Sequence, residues 1–187
     1  MGGLRLVGLD TTMLDAAGGT MNRAQLGELT GLLSRDRDQP TLLFGHHPVT
    51  YESAATTEAG PSFDIDRPTA VALQRLYART PGVFFRHSGH THRNKRTFLL
   101  DGGQNPIPSP EFLEVGATKE YPGGYSLLRL YTGGYMVSYY KNRTPLALAW
   151  SQRTRGEYYG LYPHYMLGTI ADRNHTVTRD LSGLRPL

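Results

Sequence analysis

Five of the seven histidines stand in two short clusters, Gly45-His46-His47-Pro48 and His87-Ser88-Gly89-His90-Thr91-His92. Each cluster ends an apolar run of buried-strand length, Thr41-Leu42-Leu43-Phe44 in one case and Val83-Phe84-Phe85 in the other. Imidazole carries two ring nitrogens that need partners, so core packing explains such clusters poorly and a single shared site is the economical reading. In an extended segment, residues two apart point the same way. His90 and His92 are therefore expected to present both rings to one place, with Gly89 leaving room for them. The chemistry this permits is metal binding: neutral imidazole suits Zn, Fe, Mn, Co and Ni, and a shortage of soft ligands disfavours Cu(I). With no cysteine in the chain, neither a thiolate site nor a disulfide framework is available. A lone His-x-His pair is also common on surfaces, and an α/β domain with incidental histidines is the plain alternative.

Other polar residues near the clusters carry weaker signals. Arg93 and Lys95 could attract a phosphate through charge-assisted hydrogen bonds, and Arg93 is the candidate for substrate binding; simple solvation is the competing reading. Asp10, in Asp10-Thr11-Thr12, is expected to hydrogen-bond locally. The net charge of +4 comes from basic residues scattered along the chain, too diffuse for a nucleic-acid footprint. No apolar run approaches the ~20 residues that cross a bilayer, and Met1 to Arg5 does not open a signal peptide. The chain as given is expected to be soluble.

The elements that position the histidines are legible in outline. Leu4 to Leu9 reads as a strand. A helix follows, capped by Asn22, with Gln25 three residues on as in a capping box and Leu26, Leu29, Leu32 and Leu33 on one face. Tyr51 to Phe63 reads as a loop. Asp66 and Pro68 open a second helix with Val71, Leu73, Leu76 and Tyr77 as its apolar positions. Strand-helix-strand-helix-strand order predicts an α/β core. Beyond it lie strand candidates at Thr97–Leu100, Glu111–Val115, Tyr125–Tyr131 and Gly134–Tyr140, the last two pairing as a hairpin through Thr132-Gly133. Residues 1–141 form one unit and 142–187 a Tyr-rich extension, in which Leu146 to Tyr159 could be a helix. At 187 residues the whole is long enough for one core.

The spacing of Gly45-His46-His47-Pro48 and Ser88-Gly89-His90-Thr91-His92-Arg93-Asn94, both at strand ends, resembles the last two motifs of the calcineurin-like metallophosphoesterases. Gly8-Leu9-Asp10-Thr11-Thr12 and the Gln25-Leu26 helix are similar to the bacterial cyclic-nucleotide phosphodiesterase-like branch of that family. The resemblance runs from about Leu4 to Tyr140. It implies the C-terminal half of a four-layer αββα sandwich with a mixed β-sheet, and metal-dependent hydrolysis of a phosphate ester. By the same resemblance His46 and His90 would ligate one metal and His92 the other, while His47 matches a position that is usually not a ligand. His87 is read as a strand-end residue.

The family pattern also requires an Asp-x-His, a Gly-Asp with a metal-bridging carboxylate, and a ligand Asn followed by His. None precedes Leu4, and Asn174-His175 lies on the wrong side of the chain to take the last role. Two divalent or trivalent ions, with Fe, Mn or Zn expected, would occupy the complete site, and this chain would hold at most one. Without a bridging carboxylate the mutual repulsion of two dications is uncompensated. The expectations are therefore negligible hydrolysis by this chain alone and association with a missing N-terminal segment or with itself. A mononuclear metal-binding or interaction module, or a non-catalytic remnant, is the alternative.

Overall fold

In the computed structural model residues 2–157, 160 and 162–185 are described. The chain builds a mixed five-stranded sheet in the order β1-β2-β3-β5-β4 from β1 (Arg5–Leu9), β2 (Thr41–Gly45), β3 (Val83–Ser88), β4 (Lys95–Leu100) and β5 (Pro106–Glu114). β1, β2, β3 and β5 run parallel and β4 pairs antiparallel with β5. A second, antiparallel sheet contains β6 (Gly124–Tyr131), β7 (Gly134–Lys141) and β8 (Asn174–Thr178). The α/β class, the mixed sheet and the β6-β7 hairpin agree with expectation.

Between β1 and β2 lies α1 (Arg23–Arg35), and between β2 and β3 come α2 (Tyr51–Thr56), a 3-10 turn (Pro61–Phe63) and α3 (Arg67–Ala78). Asn22 caps α1 by accepting the Gln25 backbone N–H at 2.8 Å, and Asp66 caps α3 through Thr69 at 3.0 Å. The reciprocal half of the expected capping box is not made, for Gln25 Oε1 is buried without a hydrogen-bond partner. The apolar stripes of both helices, Leu29 and Leu33 with Leu73, Leu76 and Tyr77, pack with Leu43, Val83 and Phe112 of the sheet. On the sheet's other face Phe84, Phe85 and Leu113 meet Tyr135 and Val137 of the second sheet. The layers are thus helices, mixed sheet, antiparallel sheet.

Two elements depart from expectation. Tyr51 to Phe63 is not a plain loop: Thr50 accepts the Ser53 backbone N–H at 3.2 Å and starts α2. Six residues give less than two turns, too few for an apolar period to register. Residues 142–185 contribute α4 (Pro145–Thr154), α5 (Tyr162–Leu167), α6 (Ile170–Arg173) and β8, while Tyr158 and Tyr159, at the end of the expected helix, lie outside the described residues. β8 pairs with β7, and Leu181 and Leu184 join the core between the sheets.

Glu111 of β5 ties the two sheets together. Fully buried, it accepts hydrogen bonds from Tyr135 Oη at 2.9 Å and Arg96 at 3.0 Å, and it pairs with His175 Nε2 of β8 at 2.8 Å. Burial alone would raise its pKa, but the His175 contact and the Arg96 charge outweigh burial and hold the carboxyl below its ordinary value. No helix among the described residues is long and apolar enough to cross a membrane.

Candidate metal centre

β2 and β3 are parallel neighbours, so the segments after them leave the sheet at the same end. That places His46 beside His90. His90 Nδ1 lies 3.0 Å from His46 Nε2, and His90 Nε2 lies 2.7 Å from the carbonyl oxygen of Phe63. A carbonyl only accepts, so the His90 proton sits on Nε2 and its Nδ1 lone pair faces His46. Phe63 also stacks on the His90 ring, centroid to centroid 3.9 Å. Burial, and then the neighbouring His47, push the His90 pKa down to about 4; burial followed by the charge of His92 lowers that of His46. Both rings are neutral near pH 7, the state in which imidazole donates to a metal.

The Gly89-to-Asn94 segment is not extended, which corrects the expectation drawn from residue alternation. His90 and His92 both adopt left-handed backbone, with φ of 68° and 56°. A non-glycine residue there costs roughly 1–2 kcal/mol, so something must hold the loop. Glu114, buried at the end of β5, does so. It accepts from Thr91 Oγ1 at 2.6 Å and from Arg93 Nε at 2.7 Å, with a second Arg93 contact at 3.2 Å. The Thr91 hydroxyl and the Arg93 guanidinium are thereby drawn inward, while His90, Thr91 and His92 line a cleft of about 330 Å³ together with Thr57, Glu58, Phe63 and Tyr165.

Arg93 is not a free phosphate ligand. It is 2% exposed, and beyond Glu114 its guanidinium donates to the Thr56 carbonyl at 2.7 Å and the Ser53 carbonyl at 3.3 Å. Lys95 pairs with Glu52 at 2.8 Å. His47 is buried, with Nδ1 2.8 Å from Thr11 Oγ1 and Nε2 3.0 Å from the Ala17 carbonyl, so both of its nitrogens are engaged by the protein. A Cβ on Gly19 would come within 2.5 Å of that ring, so only glycine fits there. Asp10 accepts the Thr12 backbone N–H at 2.9 Å, the local role expected of it. His87 lies in β3 itself.

His92 has a partner that sequence reasoning missed. Its Nδ1 pairs with the carboxylate of Glu120, which is 7% exposed. The contact is one of charge and proximity, for Glu120 Oε1 is buried without a hydrogen-bond partner. Nothing in the pattern around Glu120 marks it, because the turn that brings it to His92 is held by α4, distant in sequence: Thr154 Oγ1 accepts the Tyr121 backbone N–H at 2.9 Å and Ser151 Oγ donates to the Pro122 carbonyl at 3.1 Å.

The fit to a metal is partial. Nitrogens each 2.0–2.1 Å from a tetrahedral zinc ion lie roughly 3.3 Å apart, so His46 Nε2 and His90 Nδ1 at 3.0 Å could share one ion after a small shift. Among the described residues, however, no three His, Cys, Asp or Glu side chains form a group that could hold a metal ion. A two-metal centre is not assembled from these residues alone.

No protein-family model matches the chain, and no curated protein matches it. Among solved structures it is similar to the crystal structure of a dimetal phosphatase from Danio rerio, with 18% sequence identity and a TM-score of 0.49. The similarity covers 65% of this chain and 36% of that one, so the chain spans about a third of that protein's length.

Proposed function

We propose that the chain carries part of the centre of a metal-dependent phosphoesterase of the calcineurin-like type, with His46 and His90 on one cation, His92 on a second, and a phosphate ester as substrate. The observation that carries this reading is the 3.0 Å approach of His46 Nε2 and His90 Nδ1, two neutral nitrogens from separate motifs at the ends of adjacent parallel strands. A divalent cation, Fe, Mn or Zn, would supply Lewis-acid polarisation of a phosphoryl oxygen. The chain's own residues set up the rings: the Phe63 carbonyl keeps the His90 proton on Nε2, and the Glu120 carboxylate lies against His92. No Lys or Arg is among the described residues that line the cleft, and Glu58 adds negative charge there. Binding of a phosphate anion therefore depends on the cation. Residues 1–141 belong in this reading to the phosphoesterase domain, and 142–187 are an extension that lends Tyr165 to the cleft wall. The bridging carboxylate would come from elsewhere.

A second reading is favoured by the failure of three ligands to converge among the described residues: a mononuclear or interaction module that binds one ion through His46 and His90 without turnover. Equilibrium dialysis against Mn²⁺ and Zn²⁺, with His90→Ala as control and bis(p-nitrophenyl) phosphate as substrate, separates the two. Metal bound through His90 without turnover by this chain, joined by turnover once a segment bearing the missing carboxylate and Asn-His motifs is restored, supports the phosphoesterase. Bound metal with no turnover even then supports the module, and no His90-dependent metal sinks both.

A further inference from the structure

The basic residues are scattered along the chain, but the acidic ones are not: between Glu120 and Glu157 no Asp or Glu occurs, while Arg129, Lys141, Arg143, Arg153 and Arg155 do. Five such cations against a net charge of +4 leave the rest of the chain close to neutral. All but Arg129 gather at α4. Arg143 precedes the Thr144 cap, Arg153 and Arg155 stand at the far end, and Lys141 and Arg155 both lie over the Tyr121 ring, 5.6 and 5.7 Å from its centroid. Each of them is exposed.

α4 itself is turned inside out. A surface helix normally buries its apolar side. Here Ser151 and Thr154 are the buried residues, fastened to the Tyr121-Pro122 turn by the two hydrogen bonds described above. The outward side carries Leu146, 81% exposed, with Leu148 at 42% and Trp150 at 49%. Leu146, Ala149, Trp150 and Arg153, at i, i+3, i+4 and i+7, form one stripe. Trp150 donates its ring N–H to the Lys119 carbonyl, so the part of the ring left to solvent is hydrocarbon.

Apolar side chains ringed by exposed cations on one short helix complement a surface that is apolar beneath an anionic layer. Leucine offers no plane on which a base could stack, which disfavours nucleic acid, and a second copy would bring cations against cations. We infer that α4 is a docking element for an anionic lipid surface, with Leu146, Leu148 and Trp150 in the boundary between headgroups and acyl chains and the four cations on the headgroups. At ten residues α4 is half the ~20 that cross a bilayer, so it lies in the plane of the surface. The inference is independent of the histidine cleft and of the reaction proposed for it.

Trp150 is the chain's single tryptophan and reports on its own surroundings. The full chain is titrated with vesicles of phosphatidylcholine and phosphatidylglycerol in equal parts, and with vesicles of phosphatidylcholine alone, while Trp150 emission is followed. A saturable blue shift, weakened by salt, is expected with the anionic vesicles and none with the neutral ones. Leu146→Ser combined with Leu148→Ser, both at exposed positions, should abolish it. Arg143→Ser and Arg155→Ser should each weaken binding about fivefold, the size expected for one basic residue at an anionic surface. No shift with anionic vesicles, an equal shift with neutral ones, or unchanged binding in the leucine variant would each overturn the assignment. So would tighter binding of oligothymidylate than of vesicles, which would make the face a nucleic-acid site, or a blue shift that grows with protein concentration alone, which would make it an interface between copies. The vesicle comparison on the unaltered chain needs no variant to fold.

Discussion

Arg93 and Glu114 face each other through two contacts of 2.7 and 3.2 Å, with both side chains almost wholly buried, and this pair holds the loop that carries His90 and His92. Removing one partner of a buried pair leaves the other charge unpaired, which destabilises by about 3 kcal/mol, a large share of a domain's typical stability. Glu114→Gln should therefore lower the urea midpoint by that equivalent while keeping an acceptor for Thr91. A midpoint within experimental error of the unaltered chain would show that the pair does not hold the loop.

Glu120 tests how His92 is used. If His92 is a ligand, Glu120→Gln should weaken Mn²⁺ binding 10- to 100-fold in calorimetric titration, since the carboxylate charge beside the ring raises its basicity. If only His46 and His90 bind an ion, affinity should be unchanged in Glu120→Gln and lost in His90→Ala. The two readings of the site thus give opposite results on one variant.

The parts of the fold that were legible in the sequence are those fixed by local pattern. β1 to β3 are short apolar runs, and α1 and α3 carry both an apolar stripe and a cap at Asn22 and Asp66. The juxtaposition of His46 and His90 followed from their placement after parallel strands. What escaped depends on contacts distant in sequence. Glu114 lies 21 residues beyond Arg93, and the pairing of β5 with β3 and β4 brings it under the loop. β8 alternates exposed and half-buried residues in a polar stretch, Asn174-His175-Thr176-Val177-Thr178, so it shows no apolar signal until β7 pairs with it. The left-handed backbone at His90 and His92 was invisible because no glycine marks those two positions.

Glu111 makes the joint between the sheets sensitive to acid. Its pKa is depressed in the folded chain, so the stability it contributes is fully present above the unfolded value of 4.5 and disappears as the pH falls through the lower folded value. Glu111→Gln should be less stable by about 3 kcal/mol at pH 7, and this gap should narrow on acidification below 4.5. Thermal melts of both proteins across that range check it; a gap independent of pH would mean that the carboxylate charge is not what joins β5 to β8.

Asp64 runs in the opposite sense. Burial, and then the charge of Glu114, raise its pKa from 3.8 to about 6. Below 3.8 both folded and unfolded chains hold the proton, and the group contributes nothing to the pH dependence. Between 3.8 and about 6 the unfolded chain releases its proton first, so it binds fewer protons than the folded chain and stability falls as the pH rises. Above about 6 the deficit is constant. Asn carries no proton to lose, so Asp64→Asn should match the unaltered chain most closely at pH 4 and gain on it up to pH 6, then hold a fixed advantage to pH 8. Melting temperatures at those three values decide the matter: a variant that is less stable at pH 8 would mean that the Asp64 charge is compensated in the folded chain.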